Sequence, residues 1–137
     1  MQIRQLLLTS MLGTLMACSG GTAMAQYQEC DPATFQQKLQ HDPGVLLDVR
    51  TPEECVSGVI AGARMLDFTT SDFKTELAKL DRKQPVFVYC AAGGRSYRAS
   101  KQLQALGFER IYDLVGGMQA WREAGNPVVP PGKATKR

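Results

Sequence analysis

Pro85-Val86-Phe87-Val88-Tyr89-Cys90-Ala91-Ala92-Gly93-Gly94-Arg95-Ser96 reads as a strand, a tight loop and the start of a helix. Pro85 marks the entry. The four apolar residues after it form an unbroken run of the kind that parallel sheets bury on both faces. Beyond the loop a helix is expected over residues 96–106, with Ala99, Leu103 and Leu106 on one face and Gly107 as its stop. Cys90 therefore leaves the carboxyl end of a buried strand, where a side chain can project into a crevice.

The same grammar repeats on either side. Upstream, Asp31 suits an N-cap and Pro32 a first helical position, and that helix breaks at Asp42-Pro43-Gly44. Residues 45–49 form a second apolar run. Thr51 caps a short helix ending near Gly58, and residues 63–66 make a brief strand. Ser71 is expected to cap a helix whose Phe73, Leu77 and Leu80 share one stripe. Downstream, residues 111–115 read as a strand and 117–124 as a helix, with Gly116-Gly117 allowing a tight turn between them. Trp121 reads as core. From Pro127 the chain reads as solvated. Strands alternating with helices at short spacing give an α/β class, a parallel sheet with helices on both faces. Ligands in such sheets sit where strand passes to helix.

That rule points to the loop. Its glycines and alanines let successive N–H groups turn inward as an anion nest, and the following helix adds the positive end of its dipole. Arg95 supplies a cation that keeps its proton. These features should lower the Cys90 thiol below its free value of about 8.5 and make it a thiolate nucleophile. The only histidine, His41, lies in a polar turn, and this design needs no general base.

Hydrophobic residues make up 44% of the chain and charged residues 21%, which fits a folded globular domain rather than disorder. The net charge of +3 is mild and evenly spread, so no nucleic-acid partner is indicated. One histidine and scattered cysteines cannot build a zinc site, no Cys-x-x-Cys pair exists, and no cofactor is called for.

The N-terminus reads separately. Arg4, an apolar stretch and Ala23-Met24-Ala25 have the pattern of a cleaved secretory signal, giving a signal peptide at 1–25, a domain at 26–129 and a tail at 130–137. Leu15-Met16-Ala17-Cys18 also resembles a lipobox, which would put a lipid and a membrane tether on Cys18. Both of these readings export the domain, to the periplasm or to the cell envelope by a lipid anchor; the third alternative is an uncleaved cytoplasmic chain.

Residues 47–54 (Leu-Asp-Val-Arg-Thr-Pro-Glu-Glu), Gly58 with Ile60-Ala61-Gly62-Ala63, the 90–96 loop and residues 114–121 (Leu-Val-Gly-Gly-Met-Gln-Ala-Trp) together resemble the single-domain rhodanese-like sulfurtransferases of the exported bacterial type. The resemblance runs over residues 27–129. It implies a three-layer sandwich around a five-stranded parallel sheet, and a six-residue loop, 90–95, that takes sulfane sulfur onto Cys90 as a persulfide. Ala91, Ala92, Gly93, Gly94, Arg95 and Ser96 would bind the donor. Thiosulfate is the model donor, and cyanide or a thiol the acceptor. The alternative is a module that carries sulfur, senses redox state or binds a partner without turnover. Asp48 and Arg50 read as a structural pair at a strand end.

Two departures stand out, since Val59 replaces the usual histidine and Ala61 the usual proline. Cysteine phosphatases place five residues between cysteine and arginine; here four intervene, which favours sulfur over phosphate. With Cys18 removed or lipidated, Cys30, Cys55 and Cys90 remain, an odd number. A Cys30–Cys55 disulfide would leave Cys90 free. A monomer is expected at this size.

Overall fold

The computed structural model describes residues 24–132. The secretory segment before Met24, the lipid site expected at Cys18 and residues 133–137 of the expected tail lie outside the described residues. Among the described residues ten elements alternate: β1 (Gln26–Cys30), α1 (Pro32–His41), β2 (Val45–Asp48), α2 (Pro52–Cys55), β3 (Arg64–Met65), α3 (Phe73–Ala78), β4 (Val86–Tyr89), α4 (Gly94–Ala105), β5 (Arg110–Leu114) and α5 (Gly117–Glu123). The five strands are all parallel, in the order β1-β5-β4-β2-β3. This is the expected three-layer α/β sandwich.

The unbroken apolar runs are explained by two cores. Strand side chains alternate between faces. On β4, Val86 and Val88 enter the core under α3 and α4, with Phe73, Leu77, Leu103 and Phe108. Phe87 and Tyr89 enter the opposite core with Phe35, Met118 and Trp121 of α1 and α5. Neither face can be polar.

β1 is the element that periodicity missed. Gln-Tyr-Gln-Glu-Cys pairs in parallel with β5, from Gln26 beside Arg110 to Cys30 beside Leu114. As an edge strand it buries only Cys30 fully, so its sequence stays polar. Pattern reading finds four strands; the fifth came only with the family resemblance.

Three local expectations are corrected. Asp72, not Ser71, occupies the N-cap of α3 and makes no side-chain cap bond there. α4 begins at Gly94 rather than Ser96, because Gly93 adopts φ 108° and turns the chain directly into the helix. Residues 127–129 are docked rather than solvated: Trp121 Nε1 donates to the Pro127 carbonyl at 2.9 Å, and Val129 exchanges two backbone hydrogen bonds of 2.9 Å with Val59. Val59 is thus buried against the C-terminal segment, which repacks the position where the family usually has histidine.

The disulfide expectation is also corrected: Cys30 and Cys55 are both free thiols. Cys30 ends β1 at one edge of the sheet, whereas Cys55 belongs to α2, which follows β2. β5 and β4 lie between β1 and β2, so those strands stand about 14 Å apart at the usual spacing, twice the roughly 7 Å limit for bridged Cα atoms. Burial raises the Cys30 thiol above its ordinary value. Burial, with the Asp48 carboxylate next, pushes Cys55 up to about 11, so it stays protonated and inert.

Candidate active site

Cys90 follows the last residue of β4, and the loop after it folds back over the sulfur. The Gly93 amide donates to Cys90 Sγ at 3.0 Å, and the thiol lies 3.7 Å from the Ser96 hydroxyl. Burial alone would raise the thiol's pKa. Hydrogen bonding from the Ser96 amide and hydroxyl, and from the amides of Gly93 and Ala92, outweighs it and holds Cys90 below its ordinary value. Because α4 starts at Gly94, Ser96 lies in the helix's first turn, where backbone amides have no intrahelical partner. Of the loop amides, that of Gly93 makes the direct hydrogen bond to the sulfur.

The second half of that expectation is corrected. Cys90 is only 1% exposed, so it does not project into an open crevice. Ala92 and Gly94 form an exposed rim, and Ala91 and Gly93 are half-buried. A thiol so placed is shielded from bulky reagents.

The loop is held from below by α5. The Met118 amide donates to the Cys90 carbonyl at 2.8 Å and the Gln119 amide to the Ala91 carbonyl at 3.0 Å. With the Ala91 carbonyl tied down, the Ala92 amide of the same peptide is left to act on the sulfur. The fit depends on Gly117: a Cβ there would lie 2.4 Å from the Cys90 oxygen and 2.8 Å from the Ala91 carbonyl carbon. Gly116-Gly117 is therefore the platform of the cradle, a larger role than the tight turn read from sequence.

Arg95 departs from its expected part. Its guanidinium grips Glu54 through two hydrogen bonds of 2.7 and 2.6 Å. It is a fixed bracket between α4 and α2 rather than a free cation, although its charge still interacts with Cys90. Glu54 was not singled out, yet it had a signal: Thr51-Pro-Glu-Glu is a capping box, in which Glu54 accepts from the Thr51 amide at 2.9 Å and the Thr51 hydroxyl accepts from the Glu54 amide at 3.4 Å.

The Arg95 hydrogen bonds, opposed by burial and joined by the Thr51 amide, hold the Glu54 carboxyl down to about 2. A carboxylate depressed in the folded state stabilises it fully above its unfolded value of about 4.3, and loses that contribution as pH falls toward the folded value. Wild type is therefore expected to exceed Glu54→Gln in urea midpoint at pH 7, with the gap closing between about pH 5 and pH 2. Partial exposure of the pair keeps the gap modest.

Asp48 and Arg50 are the structural pair expected. Both are buried, with Arg50 Nη2 2.6 Å from Asp48 Oδ2. Arg50 also donates to the Gly58 carbonyl at 2.8 Å and the Glu54 carbonyl at 3.3 Å. It thereby fastens α2, the helix that presents Glu54 to Arg95.

The fold and the site together define an α/β domain with a buried cysteine at a strand-to-helix junction, its sulfur accepting a hydrogen bond from the Gly93 amide. The rhodanese-like domain model matches residues 31–124, and the chain belongs to that family. It is 35% identical over 104 residues to a sulfurtransferase of Allochromatium vinosum, covering 75% of this chain and 95% of that one. It is 35% identical over 100 residues to the thiosulfate sulfurtransferase GlpE of Ectopseudomonas mendocina, covering 72% and 88%. Among solved structures, a rhodanese-related protein from Thermoplasma volcanium superposes with a TM-score of 0.67 at 34% identity, over 75% of this chain and 98% of that one.

Proposed function

We propose that this chain is a sulfurtransferase that moves sulfane sulfur from a donor such as thiosulfate, through a persulfide on Cys90, to a thiophilic acceptor, cyanide or a thiol. The observation that carries this reading is the set of amides, from Ala92, Gly93 and Ser96, acting on Cys90 Sγ. The Cys90 thiolate attacks the outer sulfur of thiosulfate, the S–S bond breaks, and sulfite leaves with the bonding pair. The terminal persulfide sulfur then carries the negative charge, and the amides can stabilise it as an oxyanion hole stabilises oxygen. Cyanide takes that sulfur as thiocyanate and returns the thiolate. Charge and atoms balance in both steps, with no redox partner.

The relatives named as sulfurtransferases support this chemistry. The paired Arg95 shapes it, because a dianionic donor meets amides rather than an open cation. We place the domain outside the cytosol on the strength of the secretory or lipobox pattern, with Cys18 as the lipid site in the second case.

Thiosulfate is expected to add the mass of one sulfur atom to the wild-type protein and nothing to Cys90→Ser. Cyanide should then remove it as thiocyanate, turnover after turnover. A wild-type protein that gains no sulfur defeats the enzyme reading; one that loads once and never discharges is a carrier.

A further inference from the structure

Two ion pairs involve the segment that leaves β2, and they differ in kind. Asp48–Arg50 is sealed inside the protein, with exposures of 0% and 3%. Glu54–Arg95 is open to water, with Glu54 33% and Arg95 21% exposed. Arg50 already holds α2 by its backbone, through the carbonyls of Glu54 and Gly58. The Glu54 side chain is therefore not needed to dock the helix, and a pair so exposed adds little to stability.

Its position gives it another use. β2 and β4 leave the sheet side by side, since Asp48 pairs with Tyr89 and the Val49 amide donates to the Tyr89 carbonyl at 3.0 Å. α2 and the 90–96 loop thus start from neighbouring strand ends. Arg95 is the one cation in that loop's sequence, and it precedes Ser96, whose hydroxyl is 3.7 Å from Cys90 Sγ. Glu54 occupies both of its Nη atoms, at 2.7 and 2.6 Å. The Thr51 amide, 2.9 Å from Oε2, fixes the carboxylate in that pose with a third hydrogen bond. The loop's cation is neutralised before any donor arrives, by an anion anchored on the neighbouring element.

We propose that Glu54 selects sulfur donors by charge: by engaging Arg95 and holding its own negative charge beside the loop, it disfavours doubly charged donors such as thiosulfate and favours sulfane donors with one charge, thiosulfonates and thiol persulfides. The inference rests on the sulfur-transfer reading and names the donor class for that same site. A fixed anion repels a dianion twice as strongly as a monoanion at the same distance. The chemistry is common to all three donors. The Cys90 thiolate attacks the outer sulfur and the S–S bond breaks. Sulfite leaves thiosulfate, a sulfinate leaves a thiosulfonate, and a thiolate leaves a persulfide anion, each with the bonding pair. Charge balances in every case, so only the charge carried into the site distinguishes them. Glu54 touches no reacting atom in this scheme; it determines specificity and is not catalytic.

The test compares second-order rates of sulfur loading from thiosulfate, a dianion, and methanethiosulfonate, a monoanion that delivers the same outer sulfur. Quenched samples are weighed by mass spectrometry, with Cys90→Ser as the blank. The intrinsic reactivity of each donor cancels, because every variant is set against wild type. A glutamine at position 54 keeps an oxygen for the Thr51 amide, as capping boxes allow, and drops the charge. Glu54→Gln is expected to raise the thiosulfate rate relative to the methanethiosulfonate rate about tenfold, the size of one charge–charge contact partly screened by water. Arg95→Gln leaves Glu54 without its counter-charge and is expected to lower the same ratio about tenfold. Glu54→Gln combined with Arg95→Gln should return it close to wild type, and the Glu54→Gln gain should shrink as salt is raised. A merely structural pair would slow both donors together and leave the ratio alone. Should one single variant fold poorly, the other carries the test with the opposite sign. A ratio unchanged from wild type in the single variants overturns the selection by Glu54 while sulfur transfer stands. A wild-type protein that loads from neither donor defeats the sulfur-transfer reading itself, and this inference with it.

Discussion

Gly117→Ala is expected to cut the rate of sulfur loading onto Cys90 by about 100-fold, the loss that a displacement of roughly 1 Å at a reacting centre produces. Gly117 has φ 55°, in the left-handed region, which costs a non-glycine residue about 1 kcal/mol. The closer constraint is steric, since the added methyl would meet backbone, the Cys90 oxygen at 2.4 Å and the Ala91 carbonyl carbon at 2.8 Å. Backbone cannot step aside as the end of a flexible side chain can. The 90–91 segment must lift, and with it go the hydrogen bonds from the Met118 and Gln119 amides that hold those two carbonyls. Loading rates from quenched samples, weighed by mass spectrometry, measure the effect. Gly94→Ala is the stability control, because its backbone is not left-handed and no atom lies within 4 Å of the added carbon. Its urea midpoint should stay near wild type, whereas that of Gly117→Ala should fall.

The second large effect is on stability. Arg50→Met is expected to cost about 3–5 kcal/mol, the usual penalty for stripping one partner from a buried ion pair. Asp48 is fully buried, and Arg50 supplies hydrogen bonds to both of its oxygens. Without them a carboxylate is stranded in the core, and the Gly58 and Glu54 carbonyls lose their donor as well. Domains of this kind hold only about 5–15 kcal/mol in total, so the loss is a large share. Urea unfolding at neutral pH measures it. Asp48→Asn combined with Arg50→Met removes the stranded charge and should regain part of the stability. If the single variant unfolds at the wild-type midpoint, the pair is not the fastening described for α2.

What sequence made legible followed from where the physics is local. The apolar runs at 45–49 and 86–89 and the Asp31-Pro32 and Thr51-Pro52 caps carry their own signals and lie where they were expected, β2 ending one residue early at Asp48; the glycine loop after Cys90 is also there, shortened by the start of α4 at Gly94. β1 was not legible, because an edge strand keeps polar residues and its identity comes from pairing with β5, more than 80 positions away, as the Tyr27–Asp113 contact illustrates. Arg95 was assigned to the right loop and the wrong partner. Its pairing with Glu54 spans 41 positions and depends on how α2 docks, which no local rule reports. The Cys30–Cys55 pairing failed for the same reason in reverse: both thiols are buried, but strand order puts β5 and β4 between the strands they neighbour.

The amide hydrogens around Cys90 can be watched directly. In a nitrogen–proton correlation spectrum, loading with thiosulfate is expected to move the Ala92, Gly93 and Ser96 resonances furthest, in the direction of stronger hydrogen bonding, and cyanide should return them. A protein that carries the extra sulfur on Cys90 while those three resonances stay in place would contradict the account, because the anionic sulfur would then be bound somewhere other than among the loop amides.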